Sequence, residues 1–193
     1  MKRIQSFALL LTVFPLVGFA QQGGAPAPAS QLTASPSPNP VSDTLRQLAP
    51  RYAKNMVGAA ESMPADKYDY KPTTGQITFG HLVLHVAQSN FTLCSKLTTT
   101  PPPASDAKDT DGKDKLVAAI KASFDYCTDV LAKADDSTLG TSVSLSATRS
   151  MTKAAVMITL AYDWADHYSA QAGYLRMNGI LPPSAPQAAP PKM

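Results

Sequence analysis

Proline sets the outline of this chain. Five of its 17 prolines lie between residues 21 and 40, and five more lie between Pro182 and Met193. Proline fixes φ and removes a backbone donor, so neither a helix interior nor a central strand tolerates that density. The first is otherwise rich in Gln, Gly, Ala and Ser, neither shows apolar periodicity, and they read as a linker and a tail. Between them only Pro50, Pro64, Pro72 and Pro101 to Pro103 interrupt the chain. Residues 41–181 carry no internal repeat and are long enough for one folded domain with a single core.

Residues 1–20 read as a signal peptide. Lys2 and Arg3 give a positive start, Phe7 to Val17 form an apolar run, and Gly18 and Ala20 supply the small side chains a signal peptidase accepts. The run falls well short of the ~20 apolar residues that span a bilayer, and no later segment approaches that length. No cysteine follows it, so a lipid-anchored form has no support. The expectation is an exported protein, periplasmic or secreted, with no membrane span after processing. Processing would remove two of the 17 basic residues and none of the 14 acidic ones, lowering the formal net charge from +3 to +1. A nearly neutral chain without a basic cluster has no electrostatic footprint for nucleic acid or anionic lipid.

Four segments carry helical periodicity. In residues 42–63, Val41, Leu45, Leu48, Tyr52, Met56, Ala60 and Met63 recur at helical spacing, with Ser42 or Asp43 as the expected cap and a kink or restart at Pro50. Residues 76–97 place Phe79, Val83, Val86, Asn90 or Phe91, Cys94 and Leu97 on one stripe; the triple proline follows. Residues 111–134 align Leu116, Ile120, Phe124, Cys127 and Leu131 behind Thr110 or Asp111 as cap. Residues 135–149 read as a loop, the alternation of Val143 and Leu145 being too brief for a strand. Residues 151–178 form the longest helix, with Gly179 placed to end it in a left-handed turn. Four amphipathic helices and no clear strand imply an all-α four-helix bundle.

Asp163 and His167 fall four apart on the apolar stripe of the last helix, so both look into the bundle. A carboxylate there costs several kcal/mol unless a cation or donor meets it. A metal ion would satisfy both residues; a hydrogen-bonded structural pair is the other solution. His81 and His85 repeat the spacing on the second helix, but Leu82 stands where a zinc-protease helix needs its glutamate. One inward histidine on each of two helices, with an aspartate, makes a three-ligand set with an open position. Cys94 and Cys127, the two cysteines, lie on the apolar faces of consecutive helices expected to pack antiparallel. An oxidising compartment favours a disulfide over two buried thiols, and no basic neighbour marks either as a catalytic thiol.

Three stretches together resemble the DinB-like (DinB/YfiT) family. They are Met63-Pro64-Ala65-Asp66-Lys67-Tyr68-Asp69-Tyr70-Lys71-Pro72, then Phe79-Gly80-His81-Leu82-Val83-Leu84-His85-Val86, and finally His167-Tyr168 with Tyr174-Leu175-Arg176-Met177-Asn178-Gly179-Ile180-Leu181-Pro182-Pro183. The resemblance implies a DinB/YfiT-type four-helix bundle, often a homodimer, holding a divalent metal with three histidines. By position the ligands are His85, Asp163 and His167, with aspartate standing where the family usually has histidine. Ala170 likewise replaces the Gln or Asn often found three residues after the last ligand. A carboxylate shifts the preference towards harder ions, so zinc, nickel and manganese are all candidates.

The family's known chemistries include metal-dependent thiol S-transfer and hydrolase- or isomerase-like reactions. Two expectations follow for this chain: a metal-dependent hydrolase or transferase of unknown substrate, or a non-catalytic binding or stress-associated protein with a decayed site. Export weakens the thiol-transfer version, because small thiols are kept reduced mainly in the cytosol. His81 is the nearest candidate for a general base.

Overall fold

Residues 36–186 are described by the structure, a computed structural model; the stretch read as a signal peptide, most of the first proline-rich stretch and the last seven residues of the tail lie outside them. Among these residues the apolar stripes become four α-helices: α1 Pro40–Ser62, α2 Phe79–Cys94, α3 Lys113–Ala132 and α4 Lys153–Met177. No described helix is long and apolar enough to cross a membrane.

Each helix packs against two others: α3 touches α1 and α2, and α4 touches α1 and α2. Cross-contacts fix the directions. Gly80 lies against Leu116, Asn90 bonds Ser123, and Cys94 meets Cys127, so α2 and α3 run parallel. The sequence expectation of an antiparallel pair is therefore corrected. The connection over residues 95–112, fully extended, would reach about 60 Å, twice the ~30 Å length of α3, so it can return the chain to the starting end. His85 meets His167 and Phe79 meets Tyr174, which makes α2 and α4 antiparallel.

The stripes supply the core. Trp164, Phe79, Phe124, Met56, Ile120 and Leu160 are among its fully buried side chains. Trp164 packs between Tyr52 and Phe124 at ring-centroid distances of 5.8 and 5.7 Å. Its indole Nε1–H donates to Asn90 Oδ1 at 2.7 Å, and Asn90 Nδ2 donates to Ser123 Oγ at 3.0 Å. This chain of bonds ties α4 to α2 and α2 to α3 beside the polar end of the stripe.

Helix ends differ from expectation in instructive ways. Neither Ser42 nor Asp43 caps α1; both lie inside its first turn, which starts at Pro40. The capping carboxylate comes from Asp136, in the turn after α3, and accepts from Val41 N at 2.8 Å and Ser42 N at 2.9 Å. Pro50 does not end α1: it sits on the exposed face, where water can meet the carbonyl its missing N–H leaves free. Gly112 precedes α3 without a side-chain cap, while Asp111 accepts from Lys108 N at 2.7 Å and holds the preceding turn. Gly179 ends α4 as expected, with φ at +73° and Ile180 N donating to Leu175 O at 2.9 Å.

An antiparallel hairpin, β1 Ser142–Ser146 with β2 Arg149–Thr152, takes up most of the stretch read as a loop and the first two residues of the expected last helix. Its outward face is serine and threonine, which is why the apolar alternation looked too short. Lys153 N donates to Thr141 O and Ala154 N to Leu139 O, anchoring the hairpin base at the start of α4. Beyond Leu181 the chain stays on the bundle: Pro182 is buried, and Ser184 N donates to the Tyr168 hydroxyl at 2.9 Å.

Candidate metal centre

The inner stripe of α4 turns polar one turn past Leu160. Asp163 and His167 share a face because they are four apart, and Trp164 beside them locks the helix rotation through its bond to Asn90. The antiparallel α2 brings His85 to meet them. The His85 and His167 rings lie 4.8 Å apart between centroids, tilted by 41°. His167 Nδ1 is 2.7 Å from the Asp163 backbone oxygen and 3.4 Å from its Oδ1. A carbonyl can only accept, so Nδ1 donates here, and in the neutral tautomer it is Nε2 that has the lone pair.

Burial shapes the electrostatics. It raises the Asp163 carboxyl above its ordinary value, although the His167 and His85 imidazoles pull the other way. Burial also lowers His85, helped by His167, which keeps that ring in the neutral form a metal requires. Asp163 Oδ2 is buried with no hydrogen-bond partner. An orphaned carboxylate oxygen and two nearby imidazoles are donor types that suit a divalent cation. Among the described residues, however, no three His, Cys, Asp or Glu side chains are grouped so as to hold a metal ion.

His81, the candidate base, lies elsewhere. Its Nδ1 is 2.9 Å from Asp109 Oδ2, and it lines a different surface groove with Asp69 and Lys71. The inward position after His167 is Gln171 rather than Ala170, which is exposed. Gln171 is fully buried, and neither its Oε1 nor its Nε2 finds a partner. Cys94 and Cys127 stand at disulfide distance, with Cα atoms 5.4 Å apart.

A groove of about 490 Å³ opens directly from His85 and Asp163. Its helical walls carry Gln88 and Thr92 from α2 and Tyr162 from α4, and the hairpin contributes Leu145, Arg149 and Met151. The sequence did not point to these hairpin residues; the Val143/Leu145 alternation was the available signal.

The model of the DinB superfamily matches residues 51–170. The chain belongs to the DinB superfamily. Its fold is similar to that of a DinB-like protein from Bacillus subtilis, with a TM-score of 0.60 at 18% identity over 75% of this chain and 96% of that one. A DinB-like protein from Bacillus cereus superposes with a TM-score of 0.61 at 14% identity, covering 74% of this chain and 95% of its own. No curated protein matches the chain. Within the superfamily fold, His85 and Asp163 line a groove that the hairpin also walls, and the His167 ring lies against that of His85.

Proposed function

We propose that this superfamily member is an exported protein that holds one divalent metal ion, zinc, nickel or manganese, on His85, Asp163 and His167. The observation that carries this reading is Asp163 Oδ2, buried without a partner next to two imidazoles. A metal bound there would supply Lewis-acid chemistry for hydrolysis or group transfer at the groove. The chain's own residues do the rest. The Asp163 carbonyl fixes the His167 tautomer and presents Nε2, burial keeps His85 neutral, and the groove admits a small molecule. The Cys94–Cys127 pair supports export, since such bridges persist in oxidising compartments.

Elemental analysis of untagged protein after metal loading and dialysis tests the centre. The expected result is roughly one equivalent, lost in His167→Ala and in His85→Ala. Less than about a tenth of an equivalent, unchanged in His167→Ala, would sink the reading. N-terminal sequencing of the mature chain checks export, with Gln21 as the expected first residue.

A second reading has one observation in its favour. His167 already bonds the Asp163 backbone and approaches its carboxylate, so the two residues can serve as a structural pair in a non-catalytic binding protein. His81, held by Asp109 away from the groove, supplies no base to contradict it. A defined turnover abolished in both histidine variants excludes this alternative.

A further inference from the structure

The hairpin gives the groove a chemical preference. Side chains alternate along a strand, so Arg149 and Met151 project from the same face of β2, the face turned to the groove. Met151 and Val143, opposite each other in the register, pack on the core and seat the hairpin there. Arg149 is exposed and enters no ion pair among the described residues. The one carboxylate lining the groove is Asp163, and it forms no ion pair with Arg149. A guanidinium thus lines a groove of mixed polar and apolar walls without a counter-ion among the described residues.

The other walls complete the pattern. Leu93, Leu145 and Met151 offer apolar surface, and Tyr162, 60% exposed, offers an aromatic face where a solvated helix position would ordinarily be polar. A volume of about 490 Å³ suits a ligand of small-molecule size. We propose that the groove binds a small organic carboxylate with an apolar or aromatic body, its carboxylate on Arg149 and its body against Tyr162, Met151 and Leu145. Guanidinium and carboxylate match in a two-bond fork, which lysine cannot reproduce. Calling this ligand the substrate rests on the metal-centre reading above; its binding does not.

The test uses two probes of nearly the same shape, 1-naphthylacetate and its neutral amide, titrated calorimetrically into the chain in EDTA. The acetate is expected to bind about tenfold more tightly than the amide. Arg149→Gln should erase that preference, Arg149→Lys should keep part of it, and Leu145→Trp, which fills the groove, should weaken both probes. Arg51→Gln, in the separate groove between α1 and α4, should change nothing. Equal affinities in the unaltered chain, absence of binding by both probes at millimolar concentration, or a preference that survives Arg149→Gln would each overturn the inference. Because EDTA is present throughout, failure of metal binding leaves the preference intact. Loss of the preference refutes this inference even in a chain that binds zinc stoichiometrically.

Discussion

Asn90→Leu should unsettle the bundle far more than a change of one amide to an apolar side chain of similar size suggests. Asn90 is fully buried and accepts the Trp164 Nε1–H at 2.7 Å, where the indole has no access to water. Leucine removes that acceptor, and a buried donor without a partner costs about 1–3 kcal/mol. Ser123 Oγ loses a donor too but still donates to Ile120 O at 2.8 Å, so it adds little. For a domain of this size each kcal/mol lowers Tm by about 2–4 °C, giving a fall of roughly 2–12 °C by thermal circular dichroism. The decisive measurement is a double-mutant cycle with Trp164→Phe, which deletes the donor while keeping an aromatic ring. If the bond matters as argued, Asn90→Leu costs at least about 1 kcal/mol less in the Trp164→Phe background, because replacing both partners leaves nothing orphaned. Effects that add within about 0.5 kcal/mol would show that the cost comes from packing alone and refute the hydrogen-bond argument.

Reduction should weaken the fold through the unfolded chain: a Cys94–Cys127 bridge closes a loop with a sequence separation of 33, worth about 3–4 kcal/mol in the chain-entropy model. Urea melts with and without dithiothreitol measure it, and coincident midpoints would contradict a formed bridge. Two helical glycines should respond oppositely to alanine. Gly173 has open space and should gain about 0.5–1 kcal/mol, whereas a Cβ at Gly80 would meet Tyr68 O at 3.3 Å and should cost about 1–3 kcal/mol, both read from urea midpoints. Acid stability should depend on Asp136. Although burial opposes it, bonds from Ser42 and the Val41 and Ser42 amides hold its carboxyl below the ordinary 3.8. That contribution is therefore complete above about pH 4–5 and is lost as pH falls through the lower folded value, because protonation then favours the unfolded chain. Asp136→Asn should lower stability at pH 7 and flatten its decline between about pH 5 and 3; an unchanged slope there would refute the linkage.

The local levels of this fold are legible in the sequence. The stripes led by Leu45, Phe79, Leu116 and Val156 define the four helices, because a 3.6-residue period buries a continuous face only in a helix. Gly179 terminated α4 as expected, since its left-handed φ is a local requirement. The pairing of Asp163 with His167 was also written in their spacing, one turn of one helix. Local geometry carried all three.

What depends on how elements meet was not legible. The parallel course of α2 and α3 follows from a long proline-rich return and from Asn90 meeting Ser123, neither of which has a periodic signature. The cap on α1 comes from Asp136, more than 90 residues away, so no window around Pro40 could have found it. The polar-faced hairpin gave too little alternation to be recognised, yet it supplies Arg149 and one wall of the groove. Periodicity alone sets the helices and puts the candidate ligands on their inner faces. Packing brings His85 against His167 across the bundle, leaves Asp163 an oxygen without a partner, and lines the groove with Arg149. Side chains on different elements become neighbours through packing, and packing is a property of the whole chain.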